Sequence, residues 1–275
     1  MDAIPIADPR DERVAPYLDL RDHHRRAQEF AGVRPTFICE GAFLVERLLR
    51  SGLGVHSILV TEQARARAKD LCSLAPPQTP IYVVPESVLA GLVGFEFHRG
   101  IMACGVRPPP RDPATLLAQC RLLVILEDLS NQDNVGAVFR NAAALAGEGA
   151  GVLLSPGCCD PLYRKALRVS MGAALVLPFA RLEPWPDALA QVRESGFDLL
   201  ALTPDPDATD LRSMPPPSRP ALLLGAEGPG LSPGAFAKVV HRVRIPMSPM
   251  ADSLNVATAG AVALSHLAAP GVSSP

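Results

Sequence analysis

The stretch Ile245-Pro-Met-Ser-Pro-Met-Ala-Asp-Ser-Leu-Asn255 decides how this chain is read. A strand-like run ends at Ile245, a turn carrying Pro246 and Pro249 follows, and polar residues then open a long Ala-rich helix. Proline has no N–H to donate and does not continue a strand, so the backbone must change direction here. Two earlier segments share this character. Asn134-Val-Gly-Ala-Val-Phe-Arg140 follows the apolar run Leu122 to Leu126, and Gly225-Ala-Glu-Gly-Pro-Gly230 follows Ala221 to Leu224. In open α/β sheets ligands bind beyond the carboxyl ends of strands, where the amides of helix starts are free to donate. Three such corners carrying Gly, Asn, Ser, Glu and Arg predict one composite site. Taken singly, each also reads as an ordinary cap or tight turn. Asn134 sits where an N-cap would, Asp252 or Ser253 can cap the last helix, and Asn255 then falls in its first turn.

Working outward, the second half alternates strands and helices: strand 122–126, helix 135–146, strand 151–154, helix 162–170, strand 175–179, helix 187–195 and strand 198–202. Strand 221–224, a short helix near 233–240, strand 242–245 and the helix after Ser253 complete it, with 203–220 a Pro-rich surface loop. This pattern predicts a mostly parallel sheet covered on both sides. The first half reads as strand 37–39, helix 41–50, strand 57–60, helix 63–74, strand 81–84, helix 86–93 and strand 102–106, a small α/β/α layer domain. Arg107-Pro-Pro-Pro-Arg-Asp-Pro113 interrupts every period and reads as a stiff linker. The expected organisation is a polar N-terminal extension over 1–35, a domain over 36–107, a linker over 108–119 and a second domain over 120–275. Within the extension, Arg21-Asp-His-His-Arg-Arg26 is either a solvated helical face or a basic arm.

At 275 residues and 48% apolar content, two globular domains are expected. The net charge of −2 gives no global signal for a polyanionic partner, so any nucleic-acid contact must be local. The first residues lack the basic and apolar regions of a secretory signal, and the apolar stretch 256–272 is broken by Ser265, His266 and Pro270. A soluble cytoplasmic protein with no membrane contact is therefore expected. The six cysteines include no Cys-x-x-Cys pair and read as buried reduced thiols, with redox chemistry at Cys158-Cys159 the alternative.

Gly225 to Gly230 matches neither a Gly-x-Gly-x-x-Gly dinucleotide fingerprint nor a phosphate-binding P-loop. Its glycines permit close backbone approach to a flat ligand, with Glu227 adding a carboxylate. In this order the segments resemble the three signature motifs of the SpoU (TrmH-type) RNA ribose methyltransferases of the SPOUT superfamily. The first runs Leu126-Glu-Asp-Leu-Ser-Asn-Gln-Asp-Asn-Val-Gly-Ala-Val-Phe-Arg-Asn-Ala-Ala-Ala-Leu145, the second Leu222 to Leu231, and the third Ile245-Pro-Met with Ser253-Leu-Asn-Val-Ala257. Leu167-Arg-Val-Ser-Met-Gly-Ala-Ala174 looks like the family's connecting helix, and the resemblance covers 120–268. The first half looks like the small RNA-binding domain often fused in front, through Glu40-Gly-Ala-Phe-Leu-Val45 and Phe97-His-Arg-Gly-Ile101. One departure is that family first motifs often carry Asp-Pro before the asparagine, where this chain has Gln132-Asp133.

The resemblance implies a C-terminal trefoil-knotted methyltransferase domain behind a small α/β/α RNA-binding domain, a homodimer, and S-adenosylmethionine as cofactor with no metal. It places Gly225, Ile245, Leu254, Thr203, Leu224, Gly230 and Met247 at the cofactor. It places Arg140 at the target ribose 2′-hydroxyl, with Asn134, Glu227, Ser253 and Asn255 around it. A guanidinium stays protonated far above neutral pH, so Arg140 fits a cation that stabilises a developing alkoxide or holds phosphate better than a base. Ser253 and Asn134 would orient the hydroxyl. The implied partner is RNA, ribosomal in preference to transfer RNA because a front domain is present. The dimer would assemble its positive surface from scattered arginines such as Arg25, Arg26, Arg34, Arg47, Arg140, Arg164 and Arg168. The competing readings are a non-catalytic RNA-binding or ribosome-assembly protein, a transfer-RNA ribose methyltransferase, and a base methyltransferase.

Overall fold

A computed structural model of the chain describes residues 3–18, 20, 35–93 and 99–268. Arg21 to Arg26, Arg34, and Phe97 with His98 lie outside the described residues. The chain divides into two compact units, Met1–Pro109 with Leu162–Leu175, and Pro110–Pro161 with Val176–Pro275.

The first unit holds a five-stranded sheet in the order β1-β4-β3-β5-β2. Its strands are β1 (Ala3–Pro5), β2 (Thr36–Glu40), β3 (Val55–Thr61), β4 (Ile81–Val84) and β5 (Ile101–Val106), with helices α1 (Ala42–Arg50), α2 (Arg65–Ser73) and α3 (Glu86–Val93). β4 runs parallel to β1 and β3, whereas β5 is antiparallel to β3 and β2. Residues 3–18 and Leu20 differ from the extension predicted for them. β1 pairs with β4, and Ile6, Val14, Tyr17 and Leu20 pack in the same core as Ile38, Leu59 and Leu92. The Tyr17 hydroxyl donates to the Ser57 carbonyl at 2.9 Å, which satisfies its polar end inside that core. The apolar residues of this segment are few but spaced to face inward.

Leu162–Leu175 also belongs to this unit. Its helix, Arg164–Val169, is shorter than the span predicted from sequence. It is fastened by an ion pair of Arg164 Nη1 with Glu40 Oε1 at 2.6 Å, with Glu40 only 3% exposed. Arg168 lies 3.7 Å from the other Glu40 oxygen. Buried charge of this kind needs its partner, because an unpaired carboxylate there would cost several kcal/mol, roughly 3–5. Arg164 is thus committed inside the fold and does not contribute a free surface charge.

In the second unit a seven-stranded sheet runs β10-β12-β9-β11-β6-β7-β8, with every pairing parallel. The strands are β6 (Leu122–Leu126), β7 (Ala150–Leu154), β8 (Phe179–Arg181), β9 (Asp198–Leu202), β10 (Thr209–Asp210), β11 (Pro220–Leu224) and β12 (His241–Arg244). The helices are α4 (Pro113–Gln119), α5 (Gln132–Leu145), α6 (Leu189–Glu194), α7 (Pro233–Phe236) and α8 (Val256–Leu267). All residues of β6, β7 and β11 are buried, as the unbroken apolar runs of a sheet covered on both faces require.

Three local readings need correction. α4 occupies most of the predicted linker, since Asp112 caps it by accepting from the Ala114 amide and Pro113 sits at a first helical position, where its missing N–H costs nothing. The strand predicted over 175–179 begins instead at Phe179, after a 3₁₀ turn at Ala173–Leu175. Pro178 can accept from the Val152 amide, at 3.0 Å, but cannot donate, so the ladder starts beyond it. The Pro-rich loop over 203–220 also contributes β10, a two-residue strand paired with β12.

Candidate active site

The carboxyl ends of the adjacent strands β12, β9 and β11 open onto a cavity of about 420 Å³. Leu202 at the end of β9 with Thr203 after it, Leu224 at the end of β11 with Gly225 to Gly228 and Gly230 after it, Ile245 and Met247 after β12, and Ser253 to Val256 before and at the start of α8 supply most of its wall. Thus Gly225, Ile245, Leu254, Thr203, Leu224, Gly230, Met247, Glu227, Ser253 and Asn255, all predicted from sequence, meet at one place. Gly225 is required there by space. A Cβ on it would run into the carbonyl carbon of Gly230 and the amide of Leu231, both rigid backbone. Gly228 and Gly230 have φ of 86° and 72°, the left-handed region in which a side chain is strained.

Asn255 joins the three corners. It is the N-cap of α8, its Oδ1 accepting from the amides of Ala257 at 3.0 Å and Thr258 at 3.2 Å. This cap fixes the orientation of the amide group, and Nδ2 donates to Asn134 Oδ1 at 2.9 Å and to Glu227 Oε1 at 3.1 Å. The predicted roles of the two ends are therefore shifted: Asn255, not Asp252 or Ser253, caps α8, and Asn131, not Asn134, caps α5 by accepting from the Asp133 amide. Asn134 lies inside the first turn of α5, buried, and is free to hold Asn255. One α-helical repeat of seven residues later on the same face, Asn141 Nδ2 donates to the Ala257 carbonyl at 2.9 Å and locks α5 to α8.

Asn134 touches the cavity only through Asn255, and Arg140 is not among the lining residues. Arg140 lies on α5 with an exposed side chain. Pro204, Ala226, Gly228, Val256 and Ala259 line the cavity without having been predicted. They contribute main chain or small apolar surface, which leaves little chemical trace in a sequence. Val256 and Ala259 share one face of α8 at a spacing of three, and that periodicity was the available signal. Burial raises the thiols of Cys158 and Cys159, the latter to about 12, and all six cysteines are free. Protonated thiols are poor nucleophiles, which favours the reduced structural role over redox chemistry.

The sequence profile of the SpoU rRNA Methylase family matches residues 121–265. An uncharacterized tRNA/rRNA methyltransferase of Mycobacterium tuberculosis is 41% identical over 266 residues, covering 96% of this chain and 91% of that protein. A Bacillus subtilis protein named as a 23S rRNA (guanosine-2′-O)-methyltransferase is 29% identical, covering 84% of this chain and 88% of the relative. Among solved structures, a TrmH-family protein from Porphyromonas gingivalis superposes with a TM-score of 0.77 at 27% identity, covering 92% of this chain and 96% of that one. The order of the three motif corners, the joining of the first to the cavity-lining second and third through Asn255, the profile match and the relatives agree: this chain belongs to the SpoU rRNA methylase family.

Proposed function

We propose that this protein transfers a methyl group from S-adenosylmethionine to a ribose 2′-hydroxyl of RNA, ribosomal in preference to transfer RNA. The observation that carries the reading is the Asn255 side chain, which caps α8 while binding Asn134 and Glu227 and so ties the first motif corner to the two that line the cavity. The cavity fits the cofactor. Its volume falls in the range of about 300–1,000 Å³ typical of small-molecule sites, Leu202, Leu224, Ile245 and Leu254 give it apolar walls, and Gly225, where a Cβ would strike the backbone of Gly230 and Leu231, lets the 225–231 turn close tightly along its edge. The names of the Bacillus and Mycobacterium relatives support RNA as substrate, and the former supports the ribose oxygen.

When bound, S-adenosylmethionine supplies an electrophilic methyl group on a sulfonium. The chain supplies binding and alignment. Gly225, Ile245 and Leu254, with Thr203 and Met247, would hold the cofactor. Glu227 accepts from Asn255 through one oxygen, and its exposed carboxylate is available to an RNA hydroxyl through the other. Ser253 would orient that hydroxyl. Arg140, a permanent cation with an exposed side chain, would meet phosphate or the developing alkoxide of RNA. The trefoil crossing, the homodimer, the RNA-binding role of the first unit and a cytoplasmic location belong to the same proposal.

Two measurements test it. Titration of the folded protein with S-adenosylmethionine should show saturable binding; its absence would leave the non-catalytic RNA-binding reading. Mapping of ribose methylation in total RNA from cells with and without the protein should reveal one 2′-O-methyl group lost from ribosomal RNA. A methylated base in its place would overturn the ribose assignment.

A further inference from the structure

Glu127, immediately after β6, is 3% exposed and carries a carboxylate surrounded by neutral donors. Its Oε1 accepts from the Ser232 hydroxyl at 2.6 Å and from Trp185 Nε1 at 2.6 Å. Its Oε2 accepts from the Ser232 amide at 2.8 Å. Its own amide donates to the Leu224 carbonyl at 2.9 Å. Leu224 and Ser232 bracket residues 225–231, the turn that supplies Gly225, Glu227 and Gly230 to the cavity. One residue thus fastens both ends of that turn. Inside it, the Gly230 amide donates to the Ala226 carbonyl at 3.0 Å and closes the loop on itself. The Ser232 hydroxyl is fully committed, since its oxygen also accepts from the Ala235 amide at 3.1 Å and caps α7. A buried carboxylate is tolerable only with such donors, and the arrangement holds the turn more firmly than neutral bonds would.

We propose that Glu127 is a positioning residue for the cofactor cavity: through Leu224 and Ser232 it holds the 225–231 turn at the width that the ligand needs, and Trp185, bonded to the same carboxylate oxygen, reports whether that staple is closed. The inference rests on the reading of the cavity as a site for S-adenosylmethionine. Glu127→Gln is nearly isosteric, yet an amide presents one acceptor oxygen and one NH₂ group, so in either orientation a donor from Ser232 or Trp185 faces another donor. The chain has a single tryptophan, so its emission reads this contact without interference.

The test uses the full chain, with Glu127→Gln and Ser232→Ala as variants. Hydrogen exchange and Trp185 emission are measured without ligand, then affinity for S-adenosylmethionine by calorimetry, then methyl transfer to RNA. For Glu127→Gln the amides of 225–231 should exchange about tenfold faster, with the rest of the second unit unchanged, and the emission should shift. Cofactor affinity should weaken by about tenfold while kcat at saturating cofactor stays within about twofold, a split that general loss of structure would not give. Ser232→Ala should move exchange and affinity in the same direction, and it decides the question if Glu127→Gln does not fold. Unchanged exchange in the turn, or unchanged affinity beside a wild type that binds, overturns the proposal. A wild type that binds no S-adenosylmethionine overturns the cofactor reading instead, and the staple is then decided by exchange and emission alone.

Discussion

Asn255 Nδ2 donates to Asn134 Oδ1 across 2.9 Å, joining residues 121 positions apart in sequence. The same nitrogen reaches Glu227 Oε1, and the oxygen of the same amide starts α8. A single side chain therefore serves the helix and the site at once, and substitutions can separate the two duties.

Asn255→Asp keeps the capping oxygen but has no N–H to give, and it sets a carboxylate against Glu227 and Asn134 Oδ1. Urea unfolding should show a loss within about 1 kcal/mol, while methyl transfer falls by at least about tenfold. Asn255→Ala removes the cap as well and should cost about 1–2 kcal/mol in the same unfolding measurement. Equal activity in Asn255→Asp and wild type would show that only the cap matters.

Arg140→Ala tests the opposite case, a residue with a chemical assignment and no packing duty in view. Its side chain is exposed, so unfolding free energy should stay within about 0.5 kcal/mol of wild type. Cofactor binding should be retained and methyl transfer lost, by at least about a hundredfold if the cation acts on the transition state. Arg140→Lys, which keeps charge but not the planar fork, should recover only part of it. Full activity in Arg140→Ala would remove the assignment.

Two glycines in one turn should behave differently. At Gly225 the added methyl of alanine meets backbone, including the Gly230 carbonyl oxygen at 2.6 Å, so Gly225→Ala should destabilise by about 1–3 kcal/mol and abolish cofactor binding in calorimetry. At Gly228 no atom lies within 4 Å of such a methyl, but φ is 86°. Gly228→Ala should therefore cost about 1 kcal/mol of backbone strain and leave the cavity open. If the two variants bind cofactor equally, the close approach at Gly225 is not what shapes the site.

These contrasts mark what the amino-acid pattern could and could not convey. The apolar runs Leu122 to Leu126 and Ala221 to Leu224 were legible because a sheet covered on both faces leaves no alternation to misread. The polar residues after them were legible as a site because they recur at successive strand ends. Which asparagine caps α5 was not legible. Asn131 and Asn134 are chemically equivalent candidates, and only the turn that brings Asn255 to Asn134 decides that Asn131 takes the cap. α4 was hidden by the prolines around it, although Asp112-Pro113 is a strong helix start. The placement of Ala3–Pro5 beside β4 had no local signal, since strand pairing is settled by the partner and not by the three residues themselves. Glu127 was quoted inside the first motif yet received no role, because its partners Trp185 and Ser232 lie far along the chain.

Alkaline pH should expose the buried thiols. Burial raises Cys39 and Cys158, and it moves Cys159 from 9.0 to about 12. A folded-state value above the unfolded one means that the native protein keeps a proton that the unfolded chain releases. The resulting stability is present in full below about pH 9 and is lost as pH rises toward 12. One ionising thiol can contribute at most about 1.4 kcal/mol per pH unit, and Cys159, which is only partly buried, contributes less through solvent screening. Urea midpoints measured from pH 8 to 10.5 should therefore fall beyond pH 9, and Cys159→Ser should flatten that fall without changing the unfolding free energy at pH 8 by more than about 1 kcal/mol. A profile as steep in Cys159→Ser as in wild type would place the alkaline loss at the other thiols or at Tyr17, whose hydroxyl burial also raises.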